Sequence, residues 1–331
     1  MQGATGAGKW VPVDCDLVRT RVIRRLATYA LACVLCSCSG EHRTGEGYVH
    51  VPGGRIWYAK MGSGTGTPLI VVHGGPGSGS WGLRVWSALG DDRVVVRYDQ
   101  LGAGKADHPR DTTLFTVERA VQELQALRDS LGLKEVHLYG RSWGAMLVEA
   151  YMGTNPSGVR SVILSSPLVT TAQWEADADS LIKTLPDKYQ QDIARHEAAG
   201  TTDSPEYKAA MEEYYNRYVR RRPRIEVPGA DKGTSGDFVY GYMWGPSEFT
   251  ATGTLKTFDA TTWLSMINVP TLFVTGEFDE ATPPSTERFS KLVRGSEFKV
   301  IPGAAHSTEN DNPDALLATV RDFIRRVEAR R

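Results

Sequence analysis

Residues 140–144 read Gly-Arg-Ser-Trp-Gly, directly after an apolar run at 135–139 and directly before a helical stretch at 145–152. A G-x-S-x-G pattern placed between strand and helix reads as a sharp strand-to-helix turn with the serine at its tip. Such a turn forces Ser142 into strained backbone angles and leaves no room for side chains beside it, hence the glycines at 140 and 144. The helix start behind Ser142 offers free N–H groups and a positive dipole end to a developing anion. The same five letters in isolation would describe an ordinary glycine-rich loop, and it is the flanking pattern that decides between the two.

The rest of the chain supports a sheet for this turn to sit on. Apolar runs recur at 68–73, 93–98, 159–164, 271–275 and 298–301, several rich in Val and Ile. Runs apolar on both faces imply a parallel sheet covered on both sides. Between them, Val117, Ala120, Val121, Leu124, Leu127 and Leu131 recur at helical spacing, with Gly132 as the stop. A last helix has Asn312 as its cap, Pro313 in its first turn, and Leu316, Leu317, Val320, Phe323, Ile324 and Val327 on one face. Two further runs, 48–51 and 56–61, flank Pro52-Gly53-Gly54 as a hairpin. The pattern predicts an α/β class with a mostly parallel, doubly wound sheet.

One stretch breaks the alternation. From about 170 to 259 there is no β run, only Glu, Lys, Tyr, Ala and Arg at helical spacing, as in 207–219. It reads as an inserted helical cap between the sixth and seventh strands, over the carboxyl ends of the strands, where open α/β sheets place their ligands. The expected organisation is therefore a leader-like segment at 1–40, a core in two parts at 41–169 and 260–331, and the cap at 170–259. A length of 331 residues with 41% hydrophobic content accommodates one such domain with an insertion. The formal net charge is -1, and the one basic cluster, Arg220 to Arg224, lies in a helical region rich in Tyr and Glu. No nucleic-acid surface is indicated.

All four cysteines (Cys15, Cys33, Cys36, Cys38) fall in the first 38 residues, so the body of the chain has neither a disulfide framework nor a cysteine metal site. In that same stretch, Arg19, Arg21, Arg24 and Arg25 precede an apolar run at 26–35, too short to span a bilayer but suited to a signal-peptide core. The run ends in Leu35-Cys36-Ser37-Cys38, followed by Ser39-Gly40, and resembles a bacterial lipobox with Cys38 as the acylated residue. Export to the periplasm or a membrane anchor is the expectation, and a disordered extension on a cytoplasmic enzyme is the alternative. Residues 3–9, Gly-Ala-Thr-Gly-Ala-Gly-Lys, imitate a phosphate-binding loop. No strand precedes them, and Trp10 stands where Ser or Thr should ligate Mg²⁺, so that reading is rejected.

A serine hydroxyl needs a base to take its proton, and the base needs an acid to fix its tautomer. In chain order after Ser142, Asp279 lies just past the strand at 271–275 and His306 just past the strand at 298–301. Both occupy strand carboxyl ends. Glu277 and Glu280 flank Asp279 and are the alternative acids. Among the other histidines, His137 lies within a strand, His196 lies in the cap, and His42, His50 and His108 lie far upstream of Ser142. The second loop is His73-Gly74-Gly75-Pro76-Gly77, directly after an apolar strand; glycine there lets the backbone approach a substrate closely. The amides of Gly75 and Trp143 are the candidates for an oxyanion hole. His73 is read as a structural hydrogen-bonding residue, and the spacing together with Pro76 excludes a dinucleotide loop. This chemistry needs no metal and no organic cofactor.

With these residues in place the chain resembles the proline iminopeptidase family of α/β-hydrolase serine peptidases from about Tyr48 to the C-terminus. Besides the two glycine motifs, the resemblance is carried by Tyr98-Asp99-Gln100-Leu101-Gly102-Ala103-Gly104, by Trp244-Gly245-Pro246-Ser247-Glu248-Phe249-Thr250, and by Gly276-Glu277-Phe278-Asp279-Glu280-Ala281-Thr282-Pro283. It implies release of an N-terminal residue, preferably proline, from short peptides or amino-acid amides with a free N-terminus. It also implies two glutamates that hold the α-ammonium, at the matching positions Glu248 and Glu280. Two carboxylates in a water-poor pocket would recognise that charge and exclude chain interiors, which lack it. Trp244, Trp143, Trp81 and Trp86 are candidates to line the apolar part of the pocket, and each equally fits a place in the core. The family's turn more often has Gly than Arg before the nucleophile, so Arg141 is a departure. The rival readings are an amidase or esterase with the same triad and, from a different class, a non-catalytic binding protein on this scaffold. An epoxide hydrolase or dehalogenase would place Asp at 142.

Overall fold

The computed structural model describes residues 44–224 and 231–330. The leader-like segment, Cys38 and the phosphate-loop imitation lie outside them. No helix of the described residues is long and apolar enough to cross a membrane.

Seven strands form one sheet: β1 (Gly45–Val51), β2 (Gly54–Val72), β3 (Arg93–Asp99), β4 (Val136–Arg141), β5 (Val159–Ser165), β6 (Thr271–Gly276) and β7 (Glu297–Ile301). β1 and β2 make the expected hairpin, with Val51 opposite Gly54. β2 then pairs parallel with β4, followed by parallel pairs β4 with β5, β5 with β6 and β6 with β7. The two runs read separately at 56–61 and 68–73 are one 19-residue strand. Its halves nevertheless behave differently. Residues 57–61 pair with β3 in descending register from Asp99 to Val95, whereas 69–71 pair with 95–97 in ascending register. β3 is thus gripped on both edges by one continuous chain segment, which turns at the tight Gly62 to Gly66 approach to Gly90 and Asp92.

Side chains alternate between the two faces of a strand, and the core divides accordingly. Ile70, Val72, Val94, Val96 and Leu138 face the helices α1 (Val117–Ser130) and α2 (Trp143–Gly153). Leu69, Val71, Val95, Tyr139 and Ile163 face the apolar stripe of the C-terminal helix, in particular Leu316, Val320, Phe323 and Ile324. That helix is capped as read, with the Asn312 side chain accepting from the Ala315 amide and Pro313 in its first turn. β7 is an exception to burial on both faces: only Ile301 is buried, as befits the edge of the sheet.

Between β5 and β6 the chain forms α3 (Thr171–Ile182), α4 (Asp187–Ala199), α5 (Pro205–Tyr214), a π-helical turn at Tyr215–Val219 and α6 (Asp237–Met243). Helices α3 to α5 and the π-helical turn share a core of their own, made of Ala178, Leu185, Ile193, Tyr207, Ala210, Tyr214, Val219 and Phe249, whereas Val239 and Met243 of α6 pack into the core on the α1 and α2 side of the sheet. An isolated bridge between Thr170 and Asp259 draws the two ends of the segment together. Because the segment leaves the carboxyl end of β5, it enters and returns on the side of the sheet where the turn at Ser142 lies.

Candidate active site

The turn at 140–144 has the strained geometry that its sequence demands. Ser142 has φ 55° and ψ −123°, a left-handed backbone that costs a side-chain-bearing residue on the order of 1–3 kcal/mol. The flanking glycines are obligatory. A Cβ at Gly140 would lie 2.3 Å from the Gly144 carbonyl oxygen, and one at Gly144 would lie 2.3 Å from that of Val72. The Ser142 amide donates to the Ser165 carbonyl at the end of β5, at 2.9 Å, so the neighbouring strand holds the turn. Trp143 opens α2 immediately behind it.

The loop at 73–77 lies beside Ser142. A Cβ at Gly74 would sit 3.1 Å from Ser142 Cβ, and Gly75 adopts φ 112°, which its absent side chain permits. His73 has the structural role expected. Its Nδ1–H donates to the Gly74 carbonyl at 2.8 Å, while Nε2 accepts from the Gln100 amide at 3.2 Å. Burial pushes its pKa down, against the pull of Asp99, and keeps this neutral tautomer in place. Gln100 Oε1 accepts from Trp143 Nε1 at 2.8 Å. One glutamine thereby connects the glycine loop to the first residue of α2, the two segments that carry the Gly75 and Trp143 amides.

Asp279 and His306 meet across the ends of β6 and β7. His306 Nδ1–H donates to Asp279 Oδ1 at 2.9 Å, which leaves Nε2 as the nitrogen with a free lone pair. Asp279 also accepts from the Ala281 amide, the Gly276 amide, the Thr275 hydroxyl and, at 2.6 Å, the Ser166 hydroxyl. Burial raises its pKa, but His306 and these donors outweigh burial and hold the carboxyl below the usual range. The alternative acids are placed elsewhere. Glu277 is turned to the Gly303 amide at 2.8 Å, and Glu280 approaches His306 Nδ1 only to 3.9 Å.

Glu280 is 1% exposed, and neither of its carboxylate oxygens has a hydrogen-bond partner among the described residues. The buried hydroxyls of Tyr214 and Tyr240 are the neighbours of the Glu280 and Glu248 carboxyls respectively, though neither is within good hydrogen-bond geometry. Burial, then repulsion from Glu248 and Asp279, pushes the Glu280 carboxyl well above the ordinary range. Burial also raises Glu248, against the pull of His306 and Arg141. The structure therefore gathers both glutamates into one electrostatic neighbourhood with His306. Glu248 is held by its main chain: its amide donates to the Tyr215 hydroxyl at 3.1 Å, and its carbonyl accepts from Trp174 Nε1 at 2.8 Å.

Several contributors had no recognisable signature in the sequence. Trp174, on α3, packs edge-on against His306 with ring centroids 5.4 Å apart and also contacts Trp244 at 6.1 Å. The π-helical turn supplies the Tyr218 carbonyl, which accepts from both the Glu280 and His306 amides, and the Val219 carbonyl, which accepts from Ser307. Of the four tryptophans that fit either the pocket or the core, Trp86 belongs to the core: it is buried on the C-terminal helix side, 4.3 Å from the ring of Tyr139. Trp81 is half-buried beneath the Arg84 guanidinium.

The comparisons with known proteins agree with this geometry. Residues 67–312 match the model of the alpha/beta hydrolase fold family. Over 282 residues the chain is 46% identical to a proline iminopeptidase of Heyndrickxia coagulans, covering 84% of this chain and 98% of that one. The chain belongs to the proline iminopeptidase family of α/β-hydrolases. Among solved structures, a proline iminopeptidase of Mycobacterium smegmatis superposes with a TM-score of 0.79 at 31% identity, covering 86% of this chain and 99% of that one. VinJ superposes with a TM-score of 0.81 at 31% identity over the same shares. The protein is thus a hydrolase of this family, and the expectation of an α/β fold with a mostly parallel sheet holds.

Proposed function

We propose that the protein is a serine aminopeptidase that releases an N-terminal residue, preferably proline, from short peptides. His306 Nε2 takes the proton of Ser142 Oγ, which attacks the carbonyl carbon of the N-terminal residue. The amides of Gly75 and Trp143 hold the resulting oxyanion, and the charge of Asp279 stabilises the imidazolium. The imidazolium returns its proton to the departing amine as the C–N bond breaks. Water then attacks the acyl-enzyme by the same route in reverse. The segment 170–259 acts as the cap that encloses the N-terminal residue, with Trp244 and Trp174 as its apolar wall.

The observation that carries this reading is Glu280, a fully buried carboxyl group with no well-formed hydrogen bond, with only the neutral Tyr214 hydroxyl for a neighbouring donor, in the field of Glu248 and 3.9 Å from His306 Nδ1. Leaving such a group unpaired is costly. A substrate α-ammonium supplies both the charge and the donors that it lacks, and it fixes the scissile carbonyl next to the N-terminus over Ser142. The test is turnover of prolyl-, alanyl- and leucyl-arylamides beside N-acetylprolyl-arylamide. Prolyl turnover should lead, and acetylation should abolish it; equal turnover of the blocked compound would make the protein a general amidase or esterase instead.

The leader-like residues 1–40 support the further proposal of export with lipid attachment at Cys38. Incorporation of labelled palmitate that persists in Cys38→Ser would exclude it.

A further inference from the structure

We propose that Arg141 is a positioning residue that locks the loop carrying His306 to the turn carrying Ser142, with Glu309 as its counter-ion. Arg141 Nε donates to the His306 carbonyl oxygen at 3.2 Å, and Nη2 donates to the Ser307 hydroxyl at 2.9 Å. Nε also lies 3.4 Å from Glu309 Oε2. The other oxygen of Glu309 accepts from the Tyr139 hydroxyl at 2.6 Å, and Glu309 is 6% exposed. Tyr139 and Arg141 are two residues apart on β4 and so project from the same face of the strand. Together they clamp Glu309, on the short helix Thr308–Asp311, directly beneath the nucleophile turn.

This brace directly joins two elements that otherwise meet through the segment 165–166. The loop of His306 is held by the Tyr218 carbonyl, by Asp279, by the Asp311 carboxylate on the Ala305 amide, and by the Ser166 hydroxyl, which donates to the His306 carbonyl at 3.5 Å. The Ser142 turn is held by Ser165. Among the described residues, the hydrogen bonds that join 140–144 to 304–309 are both made by Arg141. A planar guanidinium suits the task, because its fixed fork reaches several acceptors at once. The distance from Ser142 Oγ to His306 Nε2 governs the first proton transfer, and misplacing reacting groups by about 1 Å costs on the order of 10²-fold in rate. A second role is also open to this side chain, since its charge acts on Glu280 and Glu248. The two roles make different predictions for substrates without an ammonium group.

The experiment compares Arg141→Gln, Arg141→Lys, Glu309→Gln and the Arg141→Gln/Glu309→Gln double variant on a simple aryl ester and on prolyl-arylamide. Arg141→Gln should lower kcat about ten- to hundredfold on both substrates, with KM within about twofold. Arg141→Lys should recover part of the loss, since one ammonium can reach one or two of the acceptors. The double variant should be no worse than Arg141→Gln, because the clamp acts as a unit. Loss on the arylamide with the ester unaffected would overturn positioning in favour of charge balance in the glutamate pocket. Rates within twofold on both substrates would overturn it outright. If Arg141→Gln does not fold, Tyr139→Phe loosens the clamp while sparing the guanidinium contacts, and a kcat equal to wild type on both substrates would then count against the proposal. The inference rests on the serine-hydrolase part of the proposed function only; the ester rates report on it even if prolyl-arylamide proves to be a poor substrate.

Discussion

Replacing Asp279 by asparagine is expected to lower kcat by about 10⁴-fold, the size of the effect that a wrong histidine tautomer produces in Ser-His-Asp enzymes. In this structure the reason can be read atom by atom. Asp279 Oδ2 faces three donors (Ser166 Oγ, Thr275 Oγ1 and the Gly276 amide), and Oδ1 faces two (the Ala281 amide and His306). An asparagine must turn its NH₂ toward one of these sets. If it faces Gly276 and the two hydroxyls, donor meets donor there. The other choice opposes the Ala281 amide and makes His306 present a bare Nδ1, which puts the ring proton on Nε2, where it cannot accept from Ser142. Either way at least one buried donor goes unpaired, at about 1–3 kcal/mol each, so the variant should also melt at a lower temperature.

The pH dependence of that stability has a fixed sign. The Asp279 carboxyl lies below its ordinary value in the folded protein. Its contribution is therefore present above the unfolded carboxylate range and is lost as pH falls through the depressed value. Wild type should lose this increment in acid, whereas Asp279→Asn should not. Steady-state kinetics and melts at several pH values measure both effects. A kcat reduced by less than tenfold would assign the acid role elsewhere.

How much of this was legible beforehand depends on how local the causes are. The turn at Ser142, the glycine loop at 73–77, and the strand-end positions of Asp279 and His306 are consequences of backbone geometry over five or six residues, and such patterns leave a local trace. The helix capped by Asn312 was equally plain, since its apolar stripe and its cap lie within 16 residues. The exchange of β2 from one edge of β3 to the other was not visible. It arises from the close approach of Gly62 and Gly64 to the segment at 90–92, a contact between stretches far apart in sequence. The choice between pocket and core for Trp86 stayed open for a similar reason: aromatic character states that a ring will be buried but not on which side of the sheet, and packing against Tyr139 placed it in the core. Trp174 and Ser166 lie in segments whose sequence is unremarkable, and only the fold brings them to His306 and Asp279. Arg141 shows the reverse case. In the sequence it was only a departure from the family's usual turn; in the structure its side chain turns to the loop of His306.

Glu280→Gln is expected to cut kcat/KM for prolyl-arylamide by about 10²- to 10³-fold while leaving a simple aryl ester within about twofold. Breaking a buried ion pair costs about 3–5 kcal/mol, and each 1.36 kcal/mol is worth tenfold; Glu248 remains to recover part of the loss. The ester carries no ammonium group, so its rate reports only on Ser142, His306 and the oxyanion amides. The pH profile tests the same assignment independently. Burial, Glu248 and Asp279 hold the Glu280 carboxyl well above its ordinary range, so the empty pocket keeps a proton there to higher pH than an ordinary carboxyl would. An ammonium pairs with the ionised form, and binding it must expel that proton. In wild type, kcat/KM for the free amine should therefore rise with pH through the raised Glu280 value, until the substrate's own amine loses its charge. The ester profile should lack this rise, and Glu280→Gln should lose it on the amine as well. Should the variant lower amine and ester turnover alike, with the rise intact, Glu280 would be acting on the His306 and Asp279 pair, and the ammonium would be held by other groups.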